Sequence, residues 1–144
     1  CRVWWDVEDR ALAGLGPGVL TGLIRSARNT VEGAGLEFGI YTGLAFYEAG
    51  YFDGNAFDCP YWIARYPSSA YFDFEQTPPP ESGRPQIARQ LAAWQYTGKG
   101  RIPGISGNVD LDVCYLPVGG KEETEKKFAF FPFNPEEEQK RKSR

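Results

Sequence analysis

Histidine is missing from this 144-residue chain. Its absence removes Ser-His-Asp and Cys-His catalysis and nearly every catalytic zinc site, so proton transfer falls to carboxylates, or to a Tyr or Lys. Cysteine is scarce. Cys1, Cys59 and Cys114 are odd in number and widely spaced, without zinc-ligand spacing, and read as small buried or incidental thiols rather than a disulfide framework. No apolar run approaches a membrane span, and the start has no signal-peptide pattern, so no membrane partner is expected. Positive charge is not in excess either. A net charge of −3 argues against nucleic acid as the main partner.

What is present belongs to a globular protein. Hydrophobic residues make up 42% of the chain and aromatics 15%, enough for one domain with a proper core, while the length is too short for two. Residues 2–10, RVWWDVEDR, carry the densest information. Val3, Trp4, Trp5 and Val7 are strand formers, and Asp6 and Glu8 are set among them two positions apart. Side chains at i and i+2 of a strand share a face, about 7 Å apart along the backbone. Two carboxylates in one half-buried space raise each other's cost of ionisation, so one holds a proton nearer neutral pH. A protonated acid beside an ionised one is what glycosidic bond cleavage uses. The competing reading pairs Glu8 with Arg2, Arg10 or Arg65 as an ordinary ion pair.

Along the chain, residues 11–18 read as a Gly-rich loop closing on Pro17. Val19, Leu20, Leu23, Ile24, Ala27 and Val31 then keep helical spacing up to Gly33 and Gly35. Residues 36–42 (LEFGIYT) predict a second strand, residues 45–50 a short helix, and residues 61–66 (YWIARY) a third strand. The Pro-rich connection through residues 77–80 and 83–85 excludes helix and inner strand. A helical turn is expected from residue 86, then a fourth strand over 93–97, a Gly-rich turn over 98–107, and a fifth strand over 109–116. Residues 119–144, rich in Lys and Glu, read as a charged, disordered tail behind a domain over 1–118. The order β-α-β-α-β-β-β implies an α/β fold, an open sheet or a barrel, with its site at the carboxyl ends of the strands.

Four stretches, taken together and in order, resemble glycoside hydrolase family 25, the lysozymes called Chalaropsis-type or N,O-diacetylmuramidases. They are residues 3–9 (VWWDVED), 38–43 (FGIYTG), 61–66 (YWIARY) and 94–112 (WQYTGKGRIPGISGNVDLD). The resemblance implies a TIM-like (β/α) barrel, here represented by about its last five strands. It implies an extracellular or cell-wall-associated muramidase that acts on bacterial peptidoglycan and needs no cofactor or metal. It also implies Glu8 as general acid/base, with Asp6 as the carboxylate that orients and polarises the substrate's 2-acetamido group. Asp110 is implied as a site-lining acid, and Tyr41, Trp62, Tyr66 and Gln95 as residues shaping the sugar cleft.

The family's domain carries further strands and one more Asp ahead of its D-x-E strand, and residues 1–144 hold no counterpart. The opening Cys1, running at once into strand, reads as a chain entered part-way. Open strand edges then predict self-association or pairing with a missing N-terminal half. Two functions stay open at this point: a muramidase, or a truncated, non-catalytic remnant that at most binds cell-wall glycan. Asp110 and Asp112 share a strand face. One lines the cleft and the other is held by backbone amides of the 104–107 turn, and the resemblance favours Asp110 for the cleft. Of the aromatics Tyr41, Trp62, Tyr66, Trp94 and Tyr96, about half are expected to be packing only. These acids have no metal-loop signature, and the D-x-E spacing leaves inverting and retaining outcomes open.

Overall fold

The computed structural model describes residues 1–120. The expected tail lies outside the described residues from position 121 onward. Among the described residues the fold is mixed α/β around a six-stranded sheet, in which β1 (Arg2–Asp6), β2 (Glu37–Gly43), β3 (Tyr61–Ala64) and β5 (Leu91–Arg101) are parallel. The short β4 (Phe72–Asp73) pairs parallel with the far end of β5, and β6 (Val109–Cys114) pairs antiparallel with it. No helix among the described residues is long and apolar enough to cross a membrane.

Helix α2 (Pro17–Gly33) starts with Pro17, whose fixed φ suits the first turn. Gly35 ends it, with φ 76°. Its buried face is narrower than the apolar spacing suggests: Leu20, Thr21 and Ile24 are buried, while Val19 and Leu23 are 58% and 50% exposed. With α3 (Leu44–Glu48) it covers one side of the sheet, where Val7, Phe38, Ile40, Phe46, Phe52, Phe57, Tyr61 and Ile63 form the main core. A second cluster of Trp94, Tyr96 and Leu111 lies between β5 and β6.

The opposite side of the sheet is concave, because side chains from strands two apart meet over small residues on the strand between. Trp4 of β1 lies across Gly39 of β2 and reaches Trp62 of β3, the ring centroids 5.7 Å apart. Tyr41 of β2 reaches Gln95 of β5 past Ala64, and Trp62 reaches Asp112 of β6 past Ala93. Flat sheets hold such strands about 10 Å apart, so the sheet curls as part of a barrel would.

The chain closes the low end of this trough. After β6, Gly119 O accepts from Arg2 N at 2.9 Å, Pro117 O from the Arg2 guanidinium at 2.8 Å, and Val118 O from the Trp4 indole at 2.9 Å.

Several sequence expectations are corrected. The first strand stops at Asp6, because Asp9 caps a short helix α1 (Arg10–Ala13) within the expected loop. The third strand ends at Ala64, although Arg65 N still donates to Gln95 O at 3.0 Å. The fourth runs to Arg101, through glycines expected to turn, and the last ends at Cys114. β4 was not expected, and the helical turn expected from residue 86 is absent, a 3-10 turn lying earlier, at Glu81–Gly83.

Candidate active site

The site begins at Val7, the residue between the two acids. Its side chain is fully buried in the core, so Asp6 and Glu8 on either side project to the concave face. Its backbone is fixed at both ends: Val7 N donates to Tyr41 O at 2.9 Å, and the Thr42 hydroxyl donates to Val7 O at 2.5 Å. Glu8 has therefore left the strand proper but keeps the strand's direction. Gly43 faces it across β2, where a Cβ would come within 3.9 Å of its carboxylate.

Charges accumulate in one space. Burial holds the Glu8 carboxyl above the usual glutamate range, and the charges of Asp6 and Asp110 raise it further. Asp6 is raised by burial and by Asp9. Both phenols are raised as well, Tyr41 by burial and then Glu8, Tyr66, Asp110 and Asp6, and Tyr66 by burial and then Asp110, Glu8 and Asp112. Glu8 thus keeps its proton at a pH where an ordinary glutamate has lost it. Two of the three arginines considered as its partners are engaged elsewhere, Arg2 with Glu37 at 2.6 Å and Arg65 with the carbonyls of Gly83 and Arg84.

Gln95 is the polar centre of the face. It is 4% exposed, and its side-chain oxygen accepts from the Tyr41 hydroxyl at 3.0 Å and from the Tyr66 hydroxyl at 2.5 Å. With both phenol protons committed inward, each phenol oxygen offers only lone pairs to a ligand. Tyr41 also meets Trp62 edge-on, centroids 5.6 Å apart. The face therefore combines a carboxyl of raised pKa, flanking carboxylates and aromatic walls, a combination that suits a polar ring with one apolar face.

All seven residues singled out from the sequence, Asp6, Glu8, Tyr41, Trp62, Tyr66, Gln95 and Asp110, come together here. Trp94 and Tyr96 do not. They are 0% and 4% exposed and pack on the other side of β5. Asp112 is held differently from the expectation: its partner is the Trp62 indole, 2.7 Å away, and not the amides of the 104–107 turn. Burial pushes its carboxyl up to about 6, with the indole N–H opposing and the Asp110 charge adding. The shared face with Asp110 was visible as an i, i+2 spacing. The indole partner, 50 residues away, was not.

Among known proteins, the model of glycosyl hydrolases family 25 matches residues 4–105. No curated protein and no solved structure matches the chain. The matched stretch holds Asp6, Glu8, Tyr41, Trp62, Tyr66 and Gln95 and ends before Asp110, whose place in the site rests on the charge it exerts on Glu8.

Proposed function

Because this chain belongs to glycosyl hydrolases family 25, we propose that it hydrolyses peptidoglycan at the β-1,4 bond from N-acetylmuramic acid to N-acetylglucosamine. The observation that carries the reading is the Glu8 carboxyl, raised above the usual glutamate range by burial and by the charges of Asp6 and Asp110, on an aromatic-lined concave face. Glu8 gives its proton to the glycosidic oxygen as the C1–O bond breaks. The oxygen of the substrate's 2-acetamido group, oriented and polarised by Asp6, attacks C1 and closes a ring intermediate. Water then attacks C1, Glu8 takes its proton, and the acetamido group is restored. Inversion at each step returns the starting configuration. Tyr41, Trp62, Tyr66 and Gln95 shape the cleft and Asp110 lines it. A bacterial cell wall is the corresponding partner, and the site of action lies outside the cell or at the wall. The curled sheet supports a TIM-like (β/α) barrel whose further strands, and an additional acid, would add along β1, which among the described residues pairs only with β2.

The test is release of reducing ends from purified cell walls by wild type, Glu8→Gln and Asp6→Asn, with folding checked by circular dichroism. Glu8→Gln keeps shape but cannot donate the proton and is expected to lose roughly 10²–10⁴ in rate. Wild-type turnover by Glu8→Gln would remove Glu8 from the role. Equal inertness of three well-folded proteins would leave the glycan-binding remnant.

A further inference from the structure

Beside the acid cluster lies a cavity of about 340 Å³, lined by Tyr66, Ser68, Ser69, Thr97, Gly98 and Lys99 among others. It shares Tyr66 with the site and adjoins it at Gly98, where a Cβ would sit 3.3 Å from both the Asp110 carboxylate and the Tyr66 hydroxyl. The cavity's volume lies at the low end for small-molecule sites, about the scale of one sugar with its substituent.

Lys99 gives this cavity its character. Among the described residues it is in no ion pair, although Asp6, Glu8, Asp110 and Asp112 crowd the adjoining face. Its ammonium is held by Ser69 O at 3.0 Å and stands 5.7 Å from the Tyr71 ring centroid, while its backbone N–H is fixed by the Thr97 hydroxyl at 2.9 Å. An ammonium has three donors, so two remain for a ligand. A glycan carrying carboxylates is repelled by the acid cluster, and Lys99, on the cavity wall, answers its charge. Arg101, whose guanidinium lies 4.0 Å from the Tyr71 ring centroid, is not among the residues lining the cavity.

We propose that the Lys99 cavity is a subsite for the carboxylate-bearing substituent of the glycan, making this site prefer acid-bearing amino-sugar chains to neutral ones. The proposal rests on the peptidoglycan reading and adds to it a residue that sets specificity. The carboxylate can come from the lactyl group of the sugar or from a peptide attached to it.

The experiment uses calorimetric titration of the full chain carrying Glu8→Gln to prevent turnover. The probes are a peptide-free tetrasaccharide of alternating N-acetylglucosamine and N-acetylmuramic acid, the same chain with its carboxylates converted to methylamides, a peptide-bearing tetrasaccharide, and chitotetraose. The acidic peptide-free chain is expected to bind about tenfold more tightly than its amide, as one partly exposed charge-assisted hydrogen bond allows. Added Lys99→Gln abolishes that preference, Lys99→Arg retains it, and salt rising from about 0.05 to about 0.5 M erodes it. A preference confined to the peptide-bearing chain assigns the carboxylate to the peptide instead of the lactyl group. Equal binding of acidic and neutral chains, or a preference that survives Lys99→Gln in a protein that retains its circular dichroism, overturns the subsite. If wild type still cleaves cell walls in that case, the peptidoglycan reading stands without it. No binding by any chain, together with no cleavage by wild type, overturns both.

Discussion

Replacing Asp112 by Asn isolates the cost of holding a carboxylate on this face. In the folded protein its carboxyl is pushed up to about 6 from an ordinary 3.8, chiefly by burial. Between those values the folded state binds a proton that the unfolded chain has released, so stability falls as pH rises from about 4 to about 6. A shift of about two units corresponds at face value to ~3 kcal/mol. The carboxylate is only half-buried, and solvent screening reduces this to about 1 kcal/mol. Asn has nearly the same shape and still offers the Trp62 indole an acceptor, so the substitution removes the charge and little else. Asp112→Asn is therefore expected to match wild type near pH 4 and to exceed it by about 1 kcal/mol above pH 7, roughly 3–5 °C in Tm for a domain of this size. Urea and thermal unfolding of both proteins across that range give the comparison. A difference independent of pH, or a variant less stable at pH 7, would refute the reasoning.

Gly39→Ala places a Cβ 2.6 Å from two ring carbons of Trp4, so the indole must leave its seat. A loss of about 1–3 kcal/mol is expected in denaturant unfolding, with weaker glycan binding because Trp4 buttresses Trp62. Asp110→Asn withdraws one of the charges that keep Glu8 protonated, so the Glu8 pKa falls. Since Glu8 works as an acid, activity declines as pH rises through that pKa. The basic limb of the kcat/KM profile should move to lower pH, and an unmoved limb would separate Asp110 from Glu8.

The grouping of the candidate site's side chains on one face was more legible than the strands that carry them. Asp6 and Glu8 could be placed on one face because strand periodicity is local and Val7 between them is unmistakably apolar. Gly98 and Gly100 misled for a physical reason. A Cβ at Gly100 would meet Leu111 Cγ at 2.5 Å, so the glycine answers close packing of β6 on β5, not a turn. β4 is two residues long and exists through pairing with Gly100 and Arg101, which no local pattern encodes. Trp94 and Tyr96 were indistinguishable from cleft aromatics because alternation gives two faces without saying which is lined by helices. The Trp62–Asp112 contact joins segments whose proximity depends on β5 lying between them.

The closure of the trough also dictates when the site can exist. The hydrogen bonds from Arg2 to Pro117 and from Trp4 to Val118 join residues 115 and 114 positions apart. Contacts of such span carry a loop-closure cost before they return any energy, and chains dominated by them fold slowly. During synthesis β1 emerges more than a hundred residues before these partners. Until then, among the described residues, β1 pairs with β2 alone, an arrangement of two strands that is marginal in water. The Asp110 charge therefore joins the site only once β6 has docked, and a nascent chain carries Glu8 without it.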